Sequence, residues 1–480
     1  MNGGKSFSSS IEVFSWLSRF IAVGIIKDAS LDRMKLLVEL AGHPERCAPV
    51  IHVAGSKGKG SVTGMIAAMF EAAGYRPARY LSPHVNDFRE RIGGGSSFFD
   101  EAVYCAAGEE IRELVERRLP GVPGGLPDSA PGGAGKPTFF ELLTLYFFLC
   151  ARQGGCDVLV IETGIGGRLD PTSVVDPLVS VITLIELEHT GMLGTTIAAV
   201  AGEKAGIVKP GKPLVLARQC SEALGMFVQN TVEKHSPLIY FPEITDIGNL
   251  KIHTEGTDFT LRLKPVSGLG CRRGIDFPTP SFYPLNISIP TPGAVYAENA
   301  GLAVAALKTA FPHIGGDTVR RGLGSFRLPA HFEKVFQNPP VIVDGAHTPE
   351  SIRVCTETFC ALYGEGGILI FSCGMDKNTA AMAEILLPHF SRIIITTPGS
   401  FKTSDPEKIY TIFTTALVKQ SLSKAIQDKV LLVPQTEEAI RKAMNSSLEK
   451  NLPILCTGSF YLASEMYRTL PILEKDERPV

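Results

Sequence analysis

The stretch Gly55-Ser56-Lys57-Gly58-Lys59-Gly60-Ser61 has the composition of a phosphate cradle. Glycines let successive backbone N–H groups point into one concavity that can hold phosphate oxygens. A helix starting there adds partial positive charge. Lys59 can bridge β- and γ-phosphates, and the Ser61 hydroxyl can ligate Mg²⁺. The spacing departs from G-x-x-x-x-G-K-[ST], because Gly60 separates lysine from serine. A glycine-rich turn that binds nothing is the plainer alternative. The apolar run 50–54 before it, the helical run after it and the two lysines weigh against that alternative.

Further residues stand where apolar runs end. Glu162 closes the run Asp157-Val-Leu-Val-Ile-Glu162, and a carboxylate at a strand's carboxyl end can hold Mg²⁺ directly or through water. Asp344 closes the run 341–344 and enters a glycine-containing turn, the position at which open α/β sheets receive ligands. On residue type alone, His189 reads as a core or capping histidine, Lys204 as a solvated helix lysine and Asn299 as an ordinary helix residue. Arg89 and Arg91 read as solvated charges and have no assigned role.

These residues need a scaffold, and the hydrophobic pattern supplies one. Short β-branched runs alternate with helical runs, which predicts an α/β fold with parallel sheets. Strands are expected at 50–54, 157–162, 179–184 and 214–217, and helices at 61–73 and 297–311. Thr138 and Glu141 form a capping box that starts a helix near Phe139. A second series follows, with strands at 341–344, 368–371, 393–396, 430–433 and 454–457. The chain of 480 residues is too long for one ordinary core. Two domains are expected. The first, 1–326, has a P-loop NTPase-like parallel sheet with helices on both faces. It carries a loop insertion at about 121–137 and a small β-hairpin excursion at about 241–292. A linker at 327–334 leads to a smaller Rossmann-like α/β domain, 335–480.

The formal net charge of -2 gives no global pull toward nucleic acid or an anionic membrane. No purely apolar stretch is long enough for a membrane span. The cysteines are scattered without a C-x-x-C pair, which suits reduced thiols in the cytoplasm.

The motifs occur in an order that resembles the folylpolyglutamate synthase/dihydrofolate synthase family of the Mur ligase superfamily. The resemblance rests on Ile51-His-Val-Ala54 ahead of the GKGS loop, Ser82-Pro-His84 with Arg89-Glu-Arg-Ile92, and Phe139-Phe-Glu141. It continues through Glu162-Thr-Gly-Ile-Gly-Gly-Arg-Leu-Asp170, Glu188-His189-Thr190 and Glu203-Lys204-Ala-Gly-Ile207. Asp344-Gly-Ala-His347 and Thr457-Gly-Ser-Phe-Tyr-Leu462 extend it into the second domain.

The resemblance implies an ATP-dependent amide ligase that adds L-glutamate to folate or dihydropteroate through an acyl phosphate. It implies small-molecule substrates only and a monomer. It implies Mg²⁺ at Ser61, Glu162 and His189, with a second Mg²⁺ or a monovalent cation nearby. Lys204 is implied to be carbamylated to N6-carboxylysine, which would turn it into a metal ligand; Lys59, His189 and Lys204 are the implied catalytic residues. Residues 55–61, Asn299, His331, Asp344 and His347 are implied at the nucleotide, and Ser82 and His84 at the folate side.

Some positions depart from the family pattern. Its DHT reads Glu188-His189-Thr190, its HQ pair reads Val295-Tyr296, its DGAHNP reads Asp344-Gly-Ala-His-Thr348-Pro349, and its PGR linker reads Pro329-Ala330-His331. A histidine is shorter than arginine and only partly charged near neutrality. Two other readings therefore stand beside the first: a Mur-type ligase with a different carboxylate acceptor, and a catalytically silent paralogue that binds nucleotide or folate.

Overall fold

The computed structural model describes residues 6–21, 30–119, 137–264, 284–399, 404–419 and 429–476. The expected insertion at 121–137 lies outside the described residues except for its last position, as does 265–283 of the β excursion. The chain divides into two compact units. The first comprises Met1–Lys251, Asp258–Pro290 and Ala294–Arg327; the second comprises Ile252–Thr257, Thr291–Gly293 and Leu328–Val480. The sequence reading kept all of 241–292 in the first domain. The segment around Glu255 groups instead with the second unit, where Glu255 pairs with Lys334 and the Thr257 hydroxyl donates to the Thr291 carbonyl (2.9 Å).

The first unit is built on a seven-stranded sheet. Its strands are β1 (Val50–Ala54), β2 (Pro77–Tyr80), β3 (Ile92–Gly93), β4 (Val158–Glu162), β5 (Val179–Ile182), β6 (Leu214–Leu216) and β7 (Leu238–Tyr240). Their order is β3-β2-β4-β1-β5-β6-β7. The pairs are parallel except β2 with β3. β1 and β4 are buried along their whole length, which is why both read as near-continuous apolar runs, β1 with His52 inside it and β4 closed by Glu162, rather than alternating ones. His52 inside β1 is fully buried and bonds Thr172 Oγ1 through Nε2 (2.8 Å). Burial pushes its pKa down to about 3, so it is a neutral core histidine.

The helix after β1 runs Lys59–Ala72, two residues ahead of the sequence expectation. A close helix neighbour, Gly316–Ser325, approaches it through Gly322, where a Cβ would stand 2.5 Å from Met69 Cα. The capping box at Thr138 and Glu141 opens the Phe139–Gln153 helix as expected. Glu141 also pairs with Arg33 Nε at 2.8 Å. The excursion is a three-stranded sheet rather than a hairpin, with β8 (Thr245–His253), β9 (Gly256–Leu263) and β10 (Leu285–Ile289) in the order β10-β9-β8. The alternating burial of β10 gives the weak, Pro-flanked signal that concealed it.

The second unit has a six-stranded mixed sheet, ordered β11-β12-β16-β13-β14-β15. Its strands are β11 (Glu333–Phe336), β12 (Val341–Val343), β13 (Gly367–Phe371), β14 (Phe390–Ile395), β15 (Val430–Leu432) and β16 (Ile454–Thr457). Only the edge pair β11–β12 is antiparallel. Among the described residues no helix is long and apolar enough to cross a membrane.

Candidate active site

The loop after β1 is shaped by two glycines that no other residue can replace without strain. Gly55 has φ +147, and a Cβ there would lie 1.8 Å from Thr183 Oγ1. Gly58 has φ +82, and its Cβ would lie 2.7 Å from Asn299 Oδ1. Asn299, on the Ala294–Ala310 helix, thus stands against the loop itself. The N–H groups of Ser56 and Lys57 donate to the Leu184 carbonyl at 2.8 and 3.3 Å. The Ser56 hydroxyl donates to Glu186 O and accepts from Glu186 N–H, both at 3.0 Å. These two residues therefore brace the loop against the segment after β5.

The amides left to face a phosphate are those at the helix start. The first bond to a carbonyl four residues back is Val62 N–H to Gly58 O, 3.0 Å. The N–H groups of Lys59, Gly60 and Ser61 thus have no partner within the helix. The extra glycine is accommodated in that first turn rather than in the loop. Ser61 is buried there, 2 % exposed.

Three charged side chains gather beneath the loop. Lys59 Nζ donates to Gly55 O (2.9 Å) and Ser56 O (3.4 Å). Lys204 Nζ donates to the same Gly55 carbonyl (2.7 Å) and to Glu188 Oε1 (2.7 Å). Lys204 is 1 % exposed, which overturns the residue-type reading of a solvated helix lysine. Burial, with Lys59 beside it, lowers its pKa to about 8, while Glu188 works the other way. Burial alone would push the Glu188 carboxyl up, but Lys59 and Lys204 hold it below the usual carboxylate range. His189 adjoins Glu188, is exposed, and sits in the left-handed region at φ 46.

Glu162 ends β4 and is 4 % exposed. Its Oε2 accepts the Ser82 N–H at 3.0 Å. Burial raises its pKa to about 7, against the lowering pull of Lys59, the Ser82 hydrogen bond and Arg91. A buried carboxylate at the end of β4, with this little compensation, fits a hard divalent cation with oxygen ligands. Ser61 and Glu162 are the oxygen-bearing side chains that could hold one.

Arg91, unassigned by sequence, donates from Nε to His84 Nδ1 at 2.7 Å. That bond fixes the neutral His84 tautomer with its proton on Nε2. The His84 ring meets Phe14 edge-on at 5.9 Å, and Phe14 stacks on Phe88 at 4.4 Å. Sequence reasoning also missed Glu188 as the partner of Lys204. The signal available was its place one residue before His189. Asp170, by contrast, is structural. Its carboxylate accepts N–H bonds from Gly164 and Ile165 (both 2.9 Å) and from Thr172 (3.0 Å), folding the glycine-rich turn after β4.

In the second unit, Asp344 accepts the N–H groups of Phe332 and Ala346, each at 2.8 Å. Burial raises its carboxyl pKa, opposed first by His331. Ala330 and Phe332 flank His331 at φ 56 and φ 48, so Asp344 holds a strained turn together. His331 Nδ1–H donates to Pro329 O, and His347 Nδ1–H to Gly345 O, both at 2.8 Å. Phe460 lies between the rings, 5.7 Å from His331 and 5.9 Å from His347. With Nδ1 occupied, each neutral ring presents an acceptor at Nε2, and only the imidazolium presents a donor.

A family model described as Mur ligase, glutamate ligase domain, matches residues 332–460. The chain is 31% identical over 471 residues to the dihydrofolate synthase/folylpolyglutamate synthase of Bacillus subtilis, covering 97% of this chain and 100% of that protein. It is structurally similar to a Mycobacterium tuberculosis folylpolyglutamate synthase complexed with ADP, with TM-score 0.82 and 28% identity over 96% of this chain and 98% of that one. It is also similar to an FPGS–AMPPCP–folate complex, with TM-score 0.75 and 27% identity over 96% and 99% of the two chains.

Proposed function

This chain belongs to the folylpolyglutamate synthase/dihydrofolate synthase family, and on that premise we propose that it joins the amino group of L-glutamate to a carboxylate of a folate-type acceptor. It is an ATP-dependent ligase that forms a C–N bond. Its substrates are small molecules.

The proposed route has two steps. An acceptor carboxylate oxygen attacks the γ-phosphorus of ATP, the P–O bond to ADP breaks, and an acyl phosphate forms. The glutamate nitrogen then attacks the acyl carbon, phosphate leaves, and the ammonium proton passes to solvent. The observation that carries this reading is the convergence of Lys59 and Lys204 on Gly55 O at a helix start, with Glu162 buried within electrostatic reach of Lys59. In this reading the helix-start amides orient the phosphates, and Lys59 leaves the loop carbonyls for the phosphate oxygens. Lys204 keeps its hold on Gly55 O and maintains the loop's shape. Ser61, Glu162 and His189 would hold Mg²⁺, which when bound offsets phosphate charge. Ser82 and the Nε2–H of His84 are proposed to meet the acceptor.

Lys204 is further proposed to be a site of CO₂ addition. A pKa of about 8 leaves part of the amine neutral near physiological pH, as carbamate formation requires. The contacts seen to Gly55 O and Glu188 fit the ammonium. The carbamate form requires Glu188 to turn away, because two carboxylate-like groups repel at that distance. The cytoplasm and a monomeric state are proposed from the cysteine pattern and the family resemblance.

The test is phosphate release by the purified chain with ATP, Mg²⁺, L-glutamate and, in separate reactions, dihydropteroate or a reduced folylmonoglutamate. Release is expected to depend on both glutamate and acceptor. Turnover with neither acceptor, or release indifferent to glutamate, overturns the reading.

A further inference from the structure

The second unit holds a group of side chains that the ligase reaction does not use. Cys360 lies in the last turn of the Pro349–Tyr363 helix, Glu365 in the turn that follows, and His389 just ahead of β14. Their ligand atoms all lie within 4.8 Å of one another. His389 Nδ1 is 3.0 Å from Glu365 Oε2, and Cys360 Sγ is 3.6 Å from the same oxygen. A tetrahedral zinc ion bound at ordinary lengths has an N···O edge of about 3.3 Å and an S···O edge of about 3.5 Å. The two measured edges are close to those values.

We propose that Cys360, Glu365 and His389 form a zinc site with a fourth position open to water. The backbone already holds the three ligand-bearing positions in place. Gly364 N–H caps the helix on Cys360 O (2.9 Å), and Gly366 N–H donates to His389 O (2.8 Å). Both glycines sit at φ +85, a conformation that other residues rarely adopt, so the turn bearing Glu365 has a defined path between the two ligands. Thiolate and imidazole select zinc over Mg²⁺ or Ca²⁺, which take oxygen sets such as Ser61 with Glu162. On binding, the Cys360 S–H bond breaks, its proton goes to solvent and an S–Zn bond forms. His389 contributes the Nδ1 lone pair and keeps its proton on Nε2. Because binding releases that thiol proton, affinity rises with pH. The site joins a helix end, a turn and a strand start, and zinc there stabilises the second unit. The rival arrangement is a plain hydrogen-bond cluster, with Glu365 accepting from His389 and Cys360.

The experiment uses the full chain, stripped of metal with chelator, dialysed and titrated with Co²⁺ as a spectroscopic stand-in for zinc. One Co²⁺ per chain is expected, with a thiolate-to-cobalt charge-transfer band and tetrahedral d–d intensity. Zn²⁺ displaces it and excess Mg²⁺ does not. Cys360→Ser removes the band, while replacement of the exposed Cys47 and Cys220 by serine leaves it. His389→Gln and Glu365→Gln weaken Co²⁺ affinity at least about tenfold. If Cys360→Ser does not fold, judged by circular dichroism, the other two variants decide. No band in the parent, the same band in Cys360→Ser, or unchanged affinity in both glutamine variants overturns the site.

Discussion

Replacing Glu162 by glutamine is expected to stabilise the metal-free protein while disabling the enzyme. Burial raises this carboxyl from an ordinary 4.5 to about 7. At 1.36 kcal/mol for each tenfold change, that shift is worth roughly 3 kcal/mol. Because the folded pKa lies above the unfolded one, the stability contribution is fully present below about 4.5 and is lost as pH rises through about 7. At pH 8 without metal the parent therefore holds a buried carboxylate compensated chiefly by Lys59, the Ser82 N–H and Arg91. Glutamine keeps an oxygen to accept that N–H and removes the charge. Urea unfolding in chelator at pH 8 should show Glu162→Gln more stable by roughly 2–3 kcal/mol, with the gain falling below about 1 kcal/mol near pH 5. The thermal midpoint should rise by about 3–6 °C under the same conditions. Mg²⁺ with ATP should stabilise the parent but not the variant, and turnover should fall by about 10²-fold or more. A variant less stable than the parent at pH 8, or a gain that does not change between pH 5 and 8, would refute the reasoning.

Three further outcomes are expected. Lys59→Ala should lower turnover by about 10²-fold or more with unchanged circular dichroism, because its ammonium bonds the loop carbonyls of Gly55 and Ser56 rather than filling the core; undiminished turnover would remove the loop from the mechanism. Arg91→Ala should raise the KM for the folate-type acceptor about tenfold and leave the KM for ATP unchanged, since it frees the His84 tautomer; equal changes in both constants would point to a general structural defect. Incubation with ¹³C-bicarbonate should give a carbamate NMR signal that is absent from Lys204→Ala, and exhaustive CO₂ removal should lower turnover; identical spectra and an unchanged rate would show that Lys204 acts as an amine.

Much of the fold was legible because its strands are buried on both faces. β1, β4, β13 and β16 appear in the sequence as mostly apolar runs, β1 interrupted by His52, and each lies within a residue of its expected place. β2 escaped because it is short, opens with Pro77 and carries Arg79, whose guanidinium is buried in the strand. The helix after β1 was placed too late because Gly60 reads as a loop residue. Its backbone is helical, and nothing in one residue's type reveals that the glycine is held inside a first turn. Among chemical groups, those at strand ends were the easiest to find. Glu162 and Asp344 follow from topology, because a parallel sheet delivers its carboxyl ends to one edge. Arg91 could not be found that way, since its importance lies in one nitrogen of His84, seven residues back in the chain.

Lys204 is the case in which composition misleads most, and its neighbours explain why. A lysine in a helix is usually solvated, yet this one shares the Gly55 carbonyl with Lys59. The two ammonium nitrogens can be no farther apart than the sum of their contacts to that oxygen, 5.6 Å. Like charges at that separation repel by roughly 3 kcal/mol at an effective dielectric of 20. The loop tolerates this because Glu188 meets Lys204 at 2.7 Å. The family pattern that the chain resembles has aspartate at that position, and glutamate adds one methylene of reach. Two cations, one carboxylate and one carbonyl therefore make a set whose balance favours added negative charge beside Lys59. The phosphates of ATP bring that charge to the helix start. Burial first and Lys59 second lower the pKa of Lys204; as long as Lys204 remains an ammonium, the incoming phosphates attract both lysines, and once it is a carbamate that attraction rests on Lys59 alone.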